Sequence, residues 1–204
     1  MNPSETATKI ISLYQKYGEA DYIGESITQN SHMIQAAMIA EQIRPDDSEF
    51  ILAAFLHDVG HLLAFDSNKK IDTMGGYGIK DHENLGSEYL LKHGFSNRVA
   101  DLVRNHVSAK RYLCSTDPSY YEKLTPASQH TFQQQGSYLT SDEIKRYEDD
   151  PFHKEYCQMR LIDDQAKLKD VSLKPLSHYQ SMIENYLTIL KESKAEKYPS
   201  PIPG

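Results

Sequence analysis

A chain of 204 residues with 39% hydrophobic content can build one sizeable core but hardly two, which argues against a multidomain protein. Its 22 basic and 29 acidic residues leave a net charge of -7, which excludes nucleic-acid binding driven by overall charge; an anionic ligand would need a local basic pocket. No apolar run approaches the roughly 18 residues of a transmembrane span, and the two cysteines, Cys114 and Cys157, form neither a disulfide framework nor a CxxC pair.

Residues 8–16 carry apolar side chains at Ile10, Ile11, Leu13 and Tyr14, and Tyr17-Gly18 reads as the stop of a first helix. Residues 31–42 are Ala-rich, with His32, Ala36 and Ile39 along one side of a second helix. Pro45-Asp46-Asp47-Ser48 opens a third, whose run from Phe50 to Leu56 is almost wholly apolar and belongs at the centre of a core. The pattern then fails over 64–78, where Asp66, Asn68, Gly75, Gly76 and Gly78 predict a long functional loop. Helices follow over 83–92, stopped at Gly94, and from the Ser96 cap through Val107. Asp117-Pro118, Thr125-Pro126 and Thr140-Ser141-Asp142-Glu143 read as further N-caps, and 152–166 and 178–193 as the last helices. Strand-like alternation is nearly absent, so an all-α fold is predicted: one helical domain over 1–192 and a flexible tail over 193–204. With no leader-like N-terminus and two isolated thiols, a soluble, cytoplasmic chain without membrane or nucleic-acid partners is expected.

The sharpest local feature is His57-Asp58-Val59-Gly60-His61, directly after the buried run. Polar groups at the end of a core helix are costly unless paired, hydrogen-bonded or bound to metal. Asp58 has two oxygens and could bridge two cations, with imidazoles completing the shells. Taken singly, His32, His82, His106 and Asp163 have ordinary readings as a half-buried ring, a helix start, a helix end and a solvated turn. Together they give the order H…HD…H…H…D, the pattern of a dinuclear HD-domain site. Nitrogen and oxygen ligands without thiolate suit iron or manganese better than a closed zinc site.

With its blocks Asp21-Tyr22-Ile23-Gly24-Glu25, Met74-Gly75-Gly76-Tyr77-Gly78, His106-Val107-Ser108-Ala109-Lys110-Arg111 and Pro126-Ala127-Ser128, the chain resembles the HD-domain mixed-valence di-iron oxygenases. The nearer likeness is to those that cleave 2-amino-1-hydroxyethylphosphonate to glycine and phosphate, and the more distant one to myo-inositol oxygenase. This resemblance implies an Fe(II)/Fe(III) pair on His32, His57, Asp58, His82, His106 and Asp163, with Asp58 bridging. It implies phosphonate contacts from His61, Lys110, Ser128 and Arg160. Tyr22 and Glu25 become a movable lid with a catalytic role, the tyrosine oxygen holding an iron position until substrate arrives and the glutamate reading the substrate amine. The implied partners are a small organophosphonate and O2, and a monomer is expected. The alternative is a metal-dependent HD-domain phosphohydrolase, in which the same ligands activate a water.

Overall fold

The computed structural model describes residues 2–22, 24–67, 72–74 and 77–197. Its helices are α1 (Pro3–Tyr17), α2 (Gln29–Ile43), α3 (Ser48–Leu56), α4 (Val59–Asp66), α5 (His82–Lys92), α6 (Asn97–Thr116), α7 (Pro118–Lys123), α8 (Pro126–Gln134), α9 (Ser141–Glu148), α10 (His153–Gln165) and α11 (Leu176–Lys197). Among the described residues only two isolated bridges, Asp21 with Thr28 and Thr73 with Ile79, depart from the all-α class expected. Ile23, Asn68, Gly75, Gly76 and the tail beyond Lys197 lie outside the described residues.

Helix α3 is the centre. Asp47 caps it by accepting the Phe50 N–H at 3.1 Å, and every residue from Phe50 to Leu56 is buried. Helices α2, α6, α10 and α11 surround it, while α1 packs on α4 and α11. Phe55 stacks between Tyr14 of α1 and Tyr179 of α11, with both ring centroids at 4.4 Å. No described helix is by itself long and apolar enough to cross a membrane; the bent pair α3–α4 is apolar because it is the core.

The His57-Asp58 pair does not continue the core helix. It forms an elbow, where α3 ends at Leu56 and α4 restarts at Val59 with a 44° bend. Such a break strands the last carbonyls of α3 in the core. The His57 Nδ1–H donates to Ala54 O at 2.9 Å and the Tyr14 hydroxyl to Phe55 O at 2.5 Å, so two of these carbonyls find side-chain donors. Past it, α4 crosses α5 so closely that a Cβ on Gly60 would lie 1.9 Å from the His82 carbonyl oxygen.

Several boundaries differ from the expected ones. Helix α1 begins at Pro3, because Asn2 accepts the Ser4 N–H and proline takes the first turn. Helix α4 runs to Asp66, which shortens the predicted loop. Helix α6 runs past Val107 to Thr116, which places Lys110 one turn beyond His106 on the same helix. Helix α11 continues past Ser193 to Lys197.

Candidate metal centre

Six residues from five places in the chain converge below the α3–α4 elbow: His32 (α2), His57 and Asp58 (elbow), His82 (first residue of α5), His106 (α6) and Asp163 (α10). All six are buried. Four of the histidines share one device. His32 Nδ1 donates to Ala166 O at 2.9 Å, His57 to Ala54 O at 2.9 Å, His82 to Ile79 O at 2.9 Å and His106 to Val103 O at 2.7 Å. A carbonyl only accepts, so each Nδ1 carries a proton, and in the neutral ring each Nε2 presents a lone pair inward.

These lone pairs form two groups. His32 and His57 bring their Nε2 atoms to 3.0 Å, with Asp163 Oδ1 3.2 Å from the first and 3.8 Å from the second. His82 and His106 bring theirs to 3.2 Å. Asp58 stands between: Oδ2 lies 3.6 and 3.5 Å from His32 and His57, and Oδ1 lies 3.2 and 3.6 Å from His82 and His106.

Charge follows the same division. Burial works against ionised Asp58, but His57, by its charge and its hydrogen bond, holds the carboxyl well below the usual range. Burial likewise opposes ionised Asp163, and Arg160 overcomes it. Burial would lower the His57 ring, yet Asp58 and Asp163 push it up to about 9; Asp58 raises His82 in the same way. Two anionic carboxylates therefore draw positive charge into both groups.

The donor set fits a pair of first-row metal ions. Two nitrogens about 2.1 Å from one ion and at right angles to each other lie about 3 Å apart, which matches both Nε2–Nε2 separations. Asp163 Oδ1 is buried with no hydrogen-bond donor, while Arg160 engages Oδ2 at 2.6 Å and leaves Oδ1 turned to the first group.

His61 lies against the second group, stacked on His82 at 4.0 Å with its Nε2 3.9 Å from Asp58 Oδ1. Its Nδ1, however, accepts the Ile79 N–H at 3.2 Å. Burial, reinforced by His82, lowers the ring to about 3, so it is neutral and carries its proton on Nε2. His61 therefore offers the pocket a donor where the other four rings offer lone pairs.

A pocket of about 60 Å³ opens over Asp58, His82, His106 and Asp163 and includes Tyr22, Glu25, His61, Lys110, Ser128 and Arg160, each of the substrate-side residues expected. The Tyr22 ring stacks on His32 at 3.9 Å, and burial, then Asp163 and Asp58, keeps its phenol well above the usual range. Glu25 sits in the same tight turn, which the bridge between Asp21 and Thr28 closes. Lys110 donates to Thr131 Oγ1 at 2.9 Å, and burial with Arg160 nearby lowers its ammonium to about 7. Arg160 is the most committed of the set, donating to Asp163, Asp164 and the Tyr120 hydroxyl. A guanidinium has five N–H groups, so two remain for a ligand.

The HD domain family matches residues 31–131. The chain is 41% identical over 184 residues to uncharacterized protein L432 of Acanthamoeba polyphaga mimivirus, covering 90% of this chain and 83% of that protein. It is 34% identical to the [1-hydroxy-2-(trimethylamino)ethyl]phosphonate dioxygenase (glycine-betaine-forming) of Leisingera caerulea, covering 90% and 91%. It is 36% identical to the hydroxymethylphosphonate dioxygenase of Gimesia maris (strain ATCC 29201 / DSM 8797 / 534-30), covering 91% and 90%. The chain belongs to the HD-domain phosphonate oxygenase family.

Within this HD-domain pocket stand residues that sequence reasoning passed over: Gln29, Thr131 and Lys167. Thr131 was within reach, since it lies one turn after Ser128 on α8 and so on the same face. Gln29 opens α2, three residues before His32. Lys167 follows the end of α10 in irregular backbone, where no periodicity points to it.

Proposed function

We propose that this protein is a di-iron oxygenase that uses O2 to cleave the C–P bond of a small 1-hydroxyalkylphosphonate, such as 2-amino-1-hydroxyethylphosphonate, giving a carboxylic acid (glycine in that case) and phosphate. The observation that carries this reading is Asp58, a buried carboxylate whose two oxygens face two separate histidine groups. His32, His57 and Asp163 would hold one iron, His82 and His106 the other, and Asp58 would be shared. An Fe(II)/Fe(III) pair, when bound, supplies the electrons and the coordination positions that O2 chemistry requires.

The remaining tasks fall to the chain. His61 Nε2–H, Lys110, Ser128 and the free N–H groups of Arg160 receive the phosphonate, supplying locally the positive charge that the whole surface lacks. With the phosphonate fixed, the carbinol carbon lies over the centre. Tyr22, laid across His32, keeps water from the first group until substrate displaces it. Glu25 faces the far end of the substrate and suits an ammonium there. The two dioxygenase relatives support the class, because both of their named substrates carry a hydroxyl on the carbon bonded to phosphorus.

The test is an oxygen electrode on protein loaded with iron under anaerobic conditions. The reading expects O2 uptake and phosphate release with hydroxyphosphonates, and neither with phosphoesters. Phosphate release from phosphoesters without O2 uptake would make the protein a phosphohydrolase instead.

A further inference from the structure

Lys167 has no part in the reading above, yet it is a largely buried cation in the same pocket. Its backbone is pinned on both sides. Ala166 O accepts His32 Nδ1–H at 2.9 Å, Leu168 N–H donates to Gln35 Oε1 at 3.0 Å, and Gln35 Nε2 returns a bond to Leu168 O at 3.0 Å. From this fixed base the side chain, 10% exposed, crosses to the start of α8 and donates to Ser128 Oγ at 3.0 Å. The ammonium also lies 3.5 Å from Glu25 Oε1, an ion pair without a hydrogen bond, since that buried oxygen has no donor.

Lys110 approaches the same helix face one turn on, at Thr131, whose hydroxyl donates to Ser128 O at 3.1 Å. An anion seated at Ser128 therefore meets two ammonium groups, one of them shared with Glu25. We propose that Lys167 is a further anion-binding residue, held partly in reserve by Glu25 and released to the anion when a substrate cation takes Glu25. The proposal rests on the phosphonate reading and deepens it. A zwitterionic substrate enters the Lys167–Glu25 pair end for end, phosphonate to lysine and ammonium to glutamate. A phosphonate without an amine draws Lys167 away and leaves the buried Oε1 of Glu25 without its cation, which is unfavourable. Glu25 is thus a selector against amine-free phosphonates, and it acts through Lys167.

The experiment is a binding cycle by calorimetry, without O2, on iron-loaded wild type, Glu25→Gln, Lys167→Met and the double variant. The probes are hydroxymethylphosphonate and 2-amino-1-hydroxyethylphosphonate. Glu25→Gln should tighten hydroxymethylphosphonate by about fivefold or more, because Lys167 is then free. In the Lys167→Met background the same substitution should change that affinity by less than about twofold. A purely structural Lys167 would alter melting temperature and both affinities while leaving the Glu25 effect unchanged. Lys167→Arg keeps a cation and should keep the Glu25 effect, so its loss there overturns the exchange. No tightening in Glu25→Gln, or equal tightening in both backgrounds, also overturns it. Wild type that binds neither phosphonate overturns the phosphonate reading itself.

Discussion

Gly60→Ala tests how the helix crossing supports the metal centre. The new Cβ would lie 1.9 Å from His82 O and 2.7 Å from its carbonyl carbon, and the Cα is only 3.0 Å away. These are backbone atoms, so no rotamer change relieves the clash, and α4 must move from α5 by about 1 Å to reach the roughly 3 Å minimum contact. Overpacking of this kind costs about 1–3 kcal/mol and occasionally more. For a chain of this size that corresponds to a fall in Tm of roughly 2–12 °C. The centre is less tolerant than the fold, because metal ligands must stay within about 0.2 Å of their place. His82 is the first residue of α5 and moves with it, so iron at the second group should fall by half or more. Gly94→Ala is the control: a Cβ there meets nothing within 4 Å, but the backbone has φ +92°. It should cost about 1–2 kcal/mol from left-handed strain alone and leave iron unchanged. Melting curves of metal-free protein and iron analysis after anaerobic loading read both quantities. A Gly60→Ala protein with wild-type iron and a Tm within about 1 °C of wild type would refute the reasoning.

Other substitutions separate the remaining roles. Asp58→Asn should remove iron from both groups, whereas Lys110→Met should keep its iron and weaken phosphonate binding by about 10- to 100-fold; equal iron loss in the two would contradict that division. Because the Lys110 ammonium is lowered to about 7, it is charged below that pH and neutral above it. Affinity for phosphonate should therefore fall as pH rises through about 7. Lys110→Arg, which stays charged, should lose this component, and identical pH profiles in a calorimetric titration would contradict the assignment. Arg160→Met strands Asp163 and Asp164 without their cation and should cost about 3–5 kcal/mol in the metal-free protein, read as a large drop in melting temperature.

The elements that the sequence made legible carry their signals locally. The α3 core run, the caps at Asp47, Ser96 and Thr140, and the His57-Asp58 pair all depend on neighbours within four residues. The end of α6 was readable too, since nothing after Val107 breaks a helix before Asp117-Pro118. The elbow was not, because no glycine or proline stands between Leu56 and Val59. The break persists because Tyr14, 41 residues away, bonds the Phe55 carbonyl. The convergence of His32 and Asp163 rested on the resemblance to HD-domain oxygenases, and spacing alone does not bring α2 to α10. His61 shows the same limit: its difference from His57 is the Ile79 N–H on its Nδ1, a contact that no local pattern announces. Lys167 is placed by Gln35 and His32 across 133 and 134 residues of chain.

The proposed function requires Asp58 to join two metal ions. Electron paramagnetic resonance of iron-loaded, partly oxidised protein measures this directly, with and without 2-amino-1-hydroxyethylphosphonate. Two irons per chain, a signal from a coupled Fe(II)/Fe(III) pair that shifts with the phosphonate, and its absence in Asp58→Asn are the predicted results. One iron per chain with only an isolated ferric signal, unchanged by the phosphonate, would contradict the account.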